Sequence, residues 1–268
     1  MLFRSSVNRR HIETLNNNKV DISVFKQGAY LNATNNDGKG VLHLAATTPE
    51  SLQVILESLT EAQRLDAVKM TDGDRRTVLH SAATNPESLE VILRVYPVAE
   101  RLEALKIRGD HGSTVLHLAA TTPESLEVIL RVYPVAERLE AVKITDDHGS
   151  TVMHSAATNP ESLQVILESL LEAERLKALK IKDRGSCTVL HLAATTPESL
   201  KVILESLPEA ERLEALTIKD KFGRTVLHLA ATNPESLKVI LESLSEAERL
   251  KALKIKDRDS STVLHLAA

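Results

Sequence analysis

The sequence predicts an all-α solenoid of about seven 37-residue helical repeats. Three observations predict it. First, a Leu-His pair recurs at Leu42-His43, Leu79-His80, Leu116-His117, Leu190-His191, Leu227-His228 and Leu264-His265. Met153-His154 fills the remaining place, so His43 and His265 lie six steps of 37 residues apart with no insertion. Second, each copy carries apolar residues at helical spacing between capping and turn residues. Third, aromatic residues make up only 2% of the chain, with no Trp. The core must therefore be Leu, Ile, Val and Ala, which suit closely stacked helices better than a β-sandwich. No single copy can bury its own apolar faces, whereas stacked copies bury a continuous core.

One copy, read from Lys219 to Ile255, justifies the elements in order. It opens with a turn, Asp220-Lys221-Phe222-Gly223-Arg224. A short first helix follows over 225–231, with Thr225 placed to cap it and Val226, Leu227, Ala230 and Ala231 as its apolar positions. Thr232-Asn233-Pro234-Glu235 breaks that helix and starts a second. Asn233 is the N-cap, Pro234 takes the first helical position, and Glu235 lies near the positive end of the dipole. The second helix shows Leu237, Ile240, Leu241 and Leu244 at i, i+3, i+4 and i+7. A third, shorter helical run covers Glu246 to Leu253 and has Ala247, Leu250 and Leu253 as apolar residues. Ile255 leads into the next turn.

A longer period overlies the first. Residues 156–184 and 230–258 differ only at Gln164/Lys238 and Leu171/Ser245, and 80–89 repeats as 154–163, both at a spacing of 74. The cap of the second helix alternates through Thr48, Asn85, Thr122, Asn159, Thr196 and Asn233. This points to duplication of two-repeat blocks. Both cap residues are expected to do the same physical work.

The turn and first helix, Asp220-x-x-Gly223-x-Thr225-Val-Leu-His-Leu-Ala-Ala231, and the segment from Gly28 through Asp37-Gly38 to Ala46 resemble the ankyrin repeat. The resemblance covers residues 20 to 268. It implies an N-terminal capping half-repeat over 1–33 and an array over 34–268, with six full repeats and a truncated seventh. Three departures matter: Val replaces the family's Pro, Thr/Asn-Pro-Glu-Ser replaces its inter-helix turn, and the unit is 37 residues rather than 33. The extra residues fall around 208–216, so a third short helix and shortened or vestigial β-hairpin fingers are expected. The Pro-Glu-Ala-Glu-Arg-Leu variants are similar to ankyrin-like arrays in secreted effectors of intracellular bacteria. That resemblance implies a reducing cytoplasm, of the cell itself or of a host. The array stops inside the first helix of its seventh unit, leaving Leu264 and Leu266 without a covering helix. The chain is then a fragment of a longer protein, or its end self-associates.

Composition excludes several functions. The net charge of −4 argues against general nucleic-acid binding. No apolar run reaches the length of a membrane span. Cys187 is the sole cysteine, so there is no intramolecular disulfide and no Cys-cluster metal site, and the chain suits a reducing compartment. Arg4, Arg9 and Arg10 precede no stretch apolar enough for a secretory signal. A transit peptide and an N-terminal cap remain the two readings of that end.

Chemistry within these residues is not expected. Equivalent histidines lie about 8–10 Å apart in a helical stack, too far to share a zinc ion that holds its ligands at about 2 Å. The ankyrin resemblance instead gives each His a structural role, tying its helix to the preceding turn. Asp110-His111-Gly-Ser113 and Asp147-His148-Gly-Ser150 contain hydrolase residue types, but triad groups converge from separate parts of a fold. Asp, Gly and Ser are also what turns require. Cys187 sits in a turn and is expected to be exposed. No cofactor is implied.

The turns vary while the helices hardly do, as a recognition surface would and as neutral drift in exposed loops would. The resemblance places partner contacts at these tips: Arg76, Asp110, His111, Asp147, His148, Arg184, Lys221, Phe222, Arg224 and Arg258. Phe222 with Arg224 is the sharpest anchor, set against a packing role on the neighbouring turn. Arg94, Tyr96, Arg131 and Tyr133 recur in two neighbouring units. The tyrosines take the position of Leu244, which makes them core or core-edge rather than a basic-aromatic patch. The expected function is a non-catalytic scaffold that binds a protein on a concave face of turns and first helices. The alternatives are the targeting segment of a larger effector, with its catalytic domain beyond residue 268, and a passive spacer.

Overall fold

The structure is a computed structural model and describes residues 33–267. The expected capping half-repeat over 1–33 lies, but for its last residue, outside the described residues. The chain divides into two compact units, Met1–Val132 and Tyr133–Ala268.

The three-helix repeat is present. In the first unit, first helices are Val41–Ala45, Val78–Ser81 and Val115–Leu118. Second helices are Pro49–Glu57, Pro86–Val95 and Pro123–Val132, and third helices are Glu61–Lys69 and Val98–Lys106. The second unit opens on the third helix Val135–Lys143. It continues with first helices Val152–Ser155, Val189–Leu192, Val226–Ala230 and Val263–Leu266. Its second helices are Pro160–Ser169, Pro197–Glu205 and Pro234–Glu242, and its further third helices Glu172–Leu179, Glu209–Leu216 and Glu246–Leu253. Within each unit, second helices pack on second helices one repeat away, and first helices on first helices. Among the described residues the β-hairpin fingers survive only as isolated bridges, Thr34 to Gly40, Thr71 to Thr77 and Lys256 to Thr262.

The core follows the sequence pattern. The second helices bury Leu163, Ile166 and Leu167, then Leu200, Ile203 and Leu204. Leu237 and Leu241 hold the same positions on the last second helix among the described residues and are half-buried there. The third helix buries a pair near its end, such as Ala178-Leu179 and Ala215-Leu216. Ala247 and Leu250, apolar in sequence, face solvent. Tyr96 and Tyr133 are each 2% exposed, so they belong to the core and form no basic-aromatic patch. Tyr96 Oη donates to Val68 O at 2.9 Å, and Arg94 pairs on the surface with Glu90.

The alternating caps do not do equal work. Asn85, Asn159 and Asn233 accept from the backbone N–H of Ser88, Ser162 and Ser236 at 2.8–3.0 Å. Thr48 and Thr196 make no side-chain cap bond. Asn85 Nδ2 also donates to Thr47 O at 3.4 Å, and Asn233 Nδ2 to Thr195 O at 3.1 Å. The amide therefore caps its own helix and ties it to the Thr repeat before it. Threonine carries donor and acceptor on one oxygen close to the backbone, whereas the longer asparagine side chain presents them on two separate atoms.

A second inter-repeat device has no local signature in the sequence. An arginine recurs on the third helix and folds back over the carbonyls that end the second. Arg64 Nε donates to Leu56 O at 2.6 Å and Leu59 O at 3.0 Å. Arg175 and Arg212 donate likewise to Leu167 O and Leu204 O at 3.0 and 2.9 Å. In the second unit the same guanidinium reaches one repeat further. Nη1 of Arg138, Arg175 and Arg212 donates to the carbonyls of Ser169, Ser206 and Ser243 at 3.3, 3.1 and 3.4 Å. These carbonyls lie at the negative end of the helix, where a cation is favoured; those of Leu56, Leu167 and Leu204 also accept a last-turn N–H from the residue three positions on.

Candidate functional site

Each inter-repeat turn is built around one side chain. Asp72 Oδ1 accepts from the backbone N–H groups of Asp74 and Arg76, both at 2.9 Å. Asn35, Asp146, Asp183, Asp220 and Asp257 make the same two bonds, to the residues two and four positions on. Such Asx geometry locks a five-residue turn. The fourth residue has positive φ in every turn, among them Gly223 at 78° and Ser186 at 60°. At Gly223 an added Cβ would lie 3.0 Å from Arg258 N, so the neighbouring turn also limits side-chain size.

One turn lacks its anchor. Gly109 stands where the others have Asp or Asn, and Asp110–Gly112 winds into a 3₁₀ turn with His111 at φ 60°. Gly109 itself has negative φ, and a Cβ there would meet Arg76 Cγ at 2.9 Å, which must shift, with Asp74 O and His80 Cδ2 at ordinary contact distances of 3.5 and 3.8 Å. Gly109→Asp is expected to restore both bonds and to restrict the unfolded chain, raising stability by about 1 kcal/mol. A urea midpoint at or below that of the parent would show that the anchor adds nothing there.

The tips of successive turns are joined by backbone hydrogen bonds. In the first unit Gly73 N donates to Asp37 O at 2.8 Å and Asp110 N to Asp74 O at 2.7 Å. In the second, Arg184 N donates to His148 O at 3.0 Å, Lys221 N to Gly185 O at 3.1 Å and Arg258 N to Phe222 O at 3.0 Å. Within each unit, then, the tips form one edge held by the backbone, and their side chains are free to differ.

Buried histidines lock the edge from beneath. Thr188 N–H donates to His191 Nδ1 at 3.1 Å, so the ring proton sits on Nε2, which donates to Arg224 O at 3.2 Å. His43, His154 and His228 donate in the same way to the carbonyls of Arg76, Cys187 and Ser261. The tie therefore runs to the following turn, 33 residues on, and not to the preceding one. Burial holds His43, His154 and His191 below the usual imidazole range and pushes His80 down to about 4. His80 faces the irregular Gly109 turn, and its Nε2 is buried without a hydrogen-bond partner.

The candidate contact residues all fall on these edges. Arg76, Asp110 and His111 lie on the first unit's edge; Asp147, His148, Arg184, Lys221, Phe222, Arg224 and Arg258 lie on the second's. Asp110 is bound by Arg75, through Nε at 2.9 Å and Nη2 at 2.8 Å. It is therefore committed to an ion pair rather than aimed at His111. Phe222 is 49% exposed, with Arg224 Cζ 4.8 Å and Lys221 Nζ 5.1 Å from its ring centroid. The packing partners of the ring are thus two cations of its own turn. Arg224 also grips Asp220, with Nε at 2.9 Å and Nη2 at 2.8 Å from Oδ2. Burial pushes the Asp220 carboxyl up, but bonds from the Arg224 and Phe222 N–H groups and the Arg224 guanidinium outweigh it and hold it below its usual range.

Cys187 is half-buried rather than exposed. Burial, then Asp183 and Asp220, push its thiol up, the opposite of what a nucleophile needs. Among the described residues, no cluster of three or more His, Cys, Asp or Glu is arranged to hold a metal ion. No described helix is long and apolar enough to cross a membrane.

No protein-family model and no curated protein sequence matches the chain. Solved structures do. The chain is similar to the ankyrin repeat domain of Bcl-3, a member of the IkappaB protein family, with a TM-score of 0.63 at 17% identity. That match covers 87% of this chain and 96% of the other. It is also similar to the human ASB11 ankyrin repeat domain, with a TM-score of 0.58 at 18% identity, covering 86% and 92%. The fold is that of an ankyrin repeat domain, with an added third helix in each repeat.

Proposed function

We propose that the chain is a non-catalytic scaffold that binds a protein partner through the tips of its inter-repeat turns. One observation carries this reading. Within each unit the tips are locked to one another by backbone hydrogen bonds, yet their exposed side chains differ from turn to turn, while the helices beneath are nearly identical. A rigid edge with variable side chains suits recognition. The similar solved structures are ankyrin repeat domains, a fold used for binding. The contact set is the ten residues placed above, with Phe222 as the aromatic anchor. Arg224 serves mainly to hold Asp220 and its turn.

The test compares proteins captured from a cell lysate by the parent chain and by Lys221→Ala/Phe222→Ala. That variant leaves the Arg224–Asp220 pair intact and should stay equally helical by circular dichroism. Captured proteins are expected to be lost from the turn variant and retained by Lys238→Ala, a change on the exposed side of a second helix. Identical sets from all three chains would remove the turn edge as the binding site.

A further inference from the structure

From the second unit's edge we infer the chemistry of the partner: an acidic, extended protein segment lying along the turns. This rests on the reading above and deepens it.

Two parallel rows of cations run across three consecutive turns. Lys182, Lys219 and Lys256 form one row. Lys182 Nζ donates to Lys219 O at 3.0 Å and Lys219 Nζ to Lys256 O at 2.8 Å, so each lysine lies along the stack toward the next. Arg184, Lys221 and Arg258 form the other, joined through the Lys221 N–Gly185 O and Arg258 N–Phe222 O bonds. All six are exposed. The acids between them face inward, since Asp183, Asp220 and Asp257 each spend Oδ1 on two backbone N–H groups of their own turn. Asp259 is the only fully exposed acid in these three turns. On a chain of net charge −4, this edge is a concentrated positive stripe.

The rows set a register. Stacked helices sit about 8–10 Å apart, and a peptide in the extended polyproline-II conformation rises about 3.1 Å per residue with about three residues per turn, so carboxylates three residues apart lie on one side and meet successive turns. Lys182 and Lys219 each spend one of three N–H donors on a carbonyl and keep two for a carboxylate. Phe222 sits in mid-stripe and offers apolar surface to a side chain between the acids. A protein partner is favoured over nucleic acid because the ring is already approached by Lys221 and Arg224, which a stacking base would have to displace.

The test titrates the full chain with four fluorescent 12-residue probes at low salt. They are a peptide with Glu at every third position and one central Leu, its Gln counterpart, a peptide with the same Glu residues clustered at one end, and single-stranded DNA. The spaced Glu peptide is expected to bind, to weaken as salt rises, and to bind at least about tenfold tighter than the Gln peptide. It should lose about tenfold with Lys221→Glu/Arg258→Glu and nothing with Lys201→Glu/Lys238→Glu, both pairs first shown to be as helical as the parent. Equal binding of the Glu and Gln peptides overturns the proposal. So does equal binding of the clustered peptide, which removes the register, or tighter binding of DNA lost in the same variant. If the peptides fail while Lys221→Ala/Phe222→Ala still loses its captured proteins, the turn edge binds a partner of other chemistry. If both fail, the edge itself is excluded.

Discussion

Acidification from pH 7 to pH 4 is expected to remove several kcal/mol of stability. The cause is the buried histidines. His43, His80, His154 and His191 are neutral in the fold because burial disfavours the imidazolium. In the unfolded chain each titrates near 6.5, so above that pH they contribute no pH dependence. As pH falls below 6.5 the unfolded state binds protons that the folded state refuses, and the equilibrium moves toward unfolding. The loss continues until each folded-state value is reached. For His80, held down to about 4, it amounts to about 3 kcal/mol by pH 4. The other three add smaller amounts in the same window, against a total stability of roughly 5–15 kcal/mol for an ordinary domain. Urea midpoints at pH 7, 6, 5 and 4 measure it. His80→Gln should flatten part of the slope, because the amide can still accept from Thr77 N–H but takes no proton. Midpoints constant across the window would mean that the rings are hydrated or charged in the fold. Asp220 loosens only below the ordinary carboxylate range, since its carboxyl is held low, so it adds its loss beneath this window.

Much of the architecture was legible because it is repeated. Seven Leu/Met-His pairs at one spacing fix the period, and Pro at the first position of each second helix fixes the phase. The third helix was legible as a place where four extra residues must go. The turns were legible as turns, but not what holds them. Asp220 reads as a turn residue in sequence; only its two backbone bonds and its grip on Arg224 show that it faces inward and that the tip's exposed charge is positive. The Thr/Asn alternation was misread because both residues are good caps. The difference lies in the second amide donor of Asn85 and Asn233, which needs a carbonyl 38 residues back, beyond any local pattern. The His direction was misread for the same reason: a ring 33 residues from its acceptor carries no local trace of which neighbour it binds.

The arginine ladder is the largest such omission, and removing one rung is expected to cost about 2–4 kcal/mol. Arg212 donates from Nε to Leu204 O at 2.9 Å and Leu207 O at 3.3 Å, and from Nη1 to Ser243 O at 3.4 Å. Charged donors to carbonyls at a helix end contribute about 1.5–3 kcal/mol each at most, and these bonds share one guanidinium while Leu204 O already accepts from Leu207 N, so the total falls short of their sum. Arg212→Met keeps the aliphatic stem and removes the bonds, which separates hydrogen bonding from packing. Arg212→Lys should recover less than half, because a single ammonium cannot span the end of one helix and the next repeat at once. The comparison is Lys238→Ala, which breaks an exposed pair with Glu242 at 3.8 Å and should change stability by less than about 0.5 kcal/mol. Because the Nη1 bond crosses to the next repeat, Arg212→Met should also lower the urea m-value as the two repeats uncouple. A midpoint within about 0.5 kcal/mol of the parent, with an unchanged m-value, would reduce the ladder to surface decoration. In sequence, Glu-Arg-Leu on a short polar helix has the pattern of a solvated face; its acceptors are the carbonyl ends of helices, which carry no side-chain signature at all.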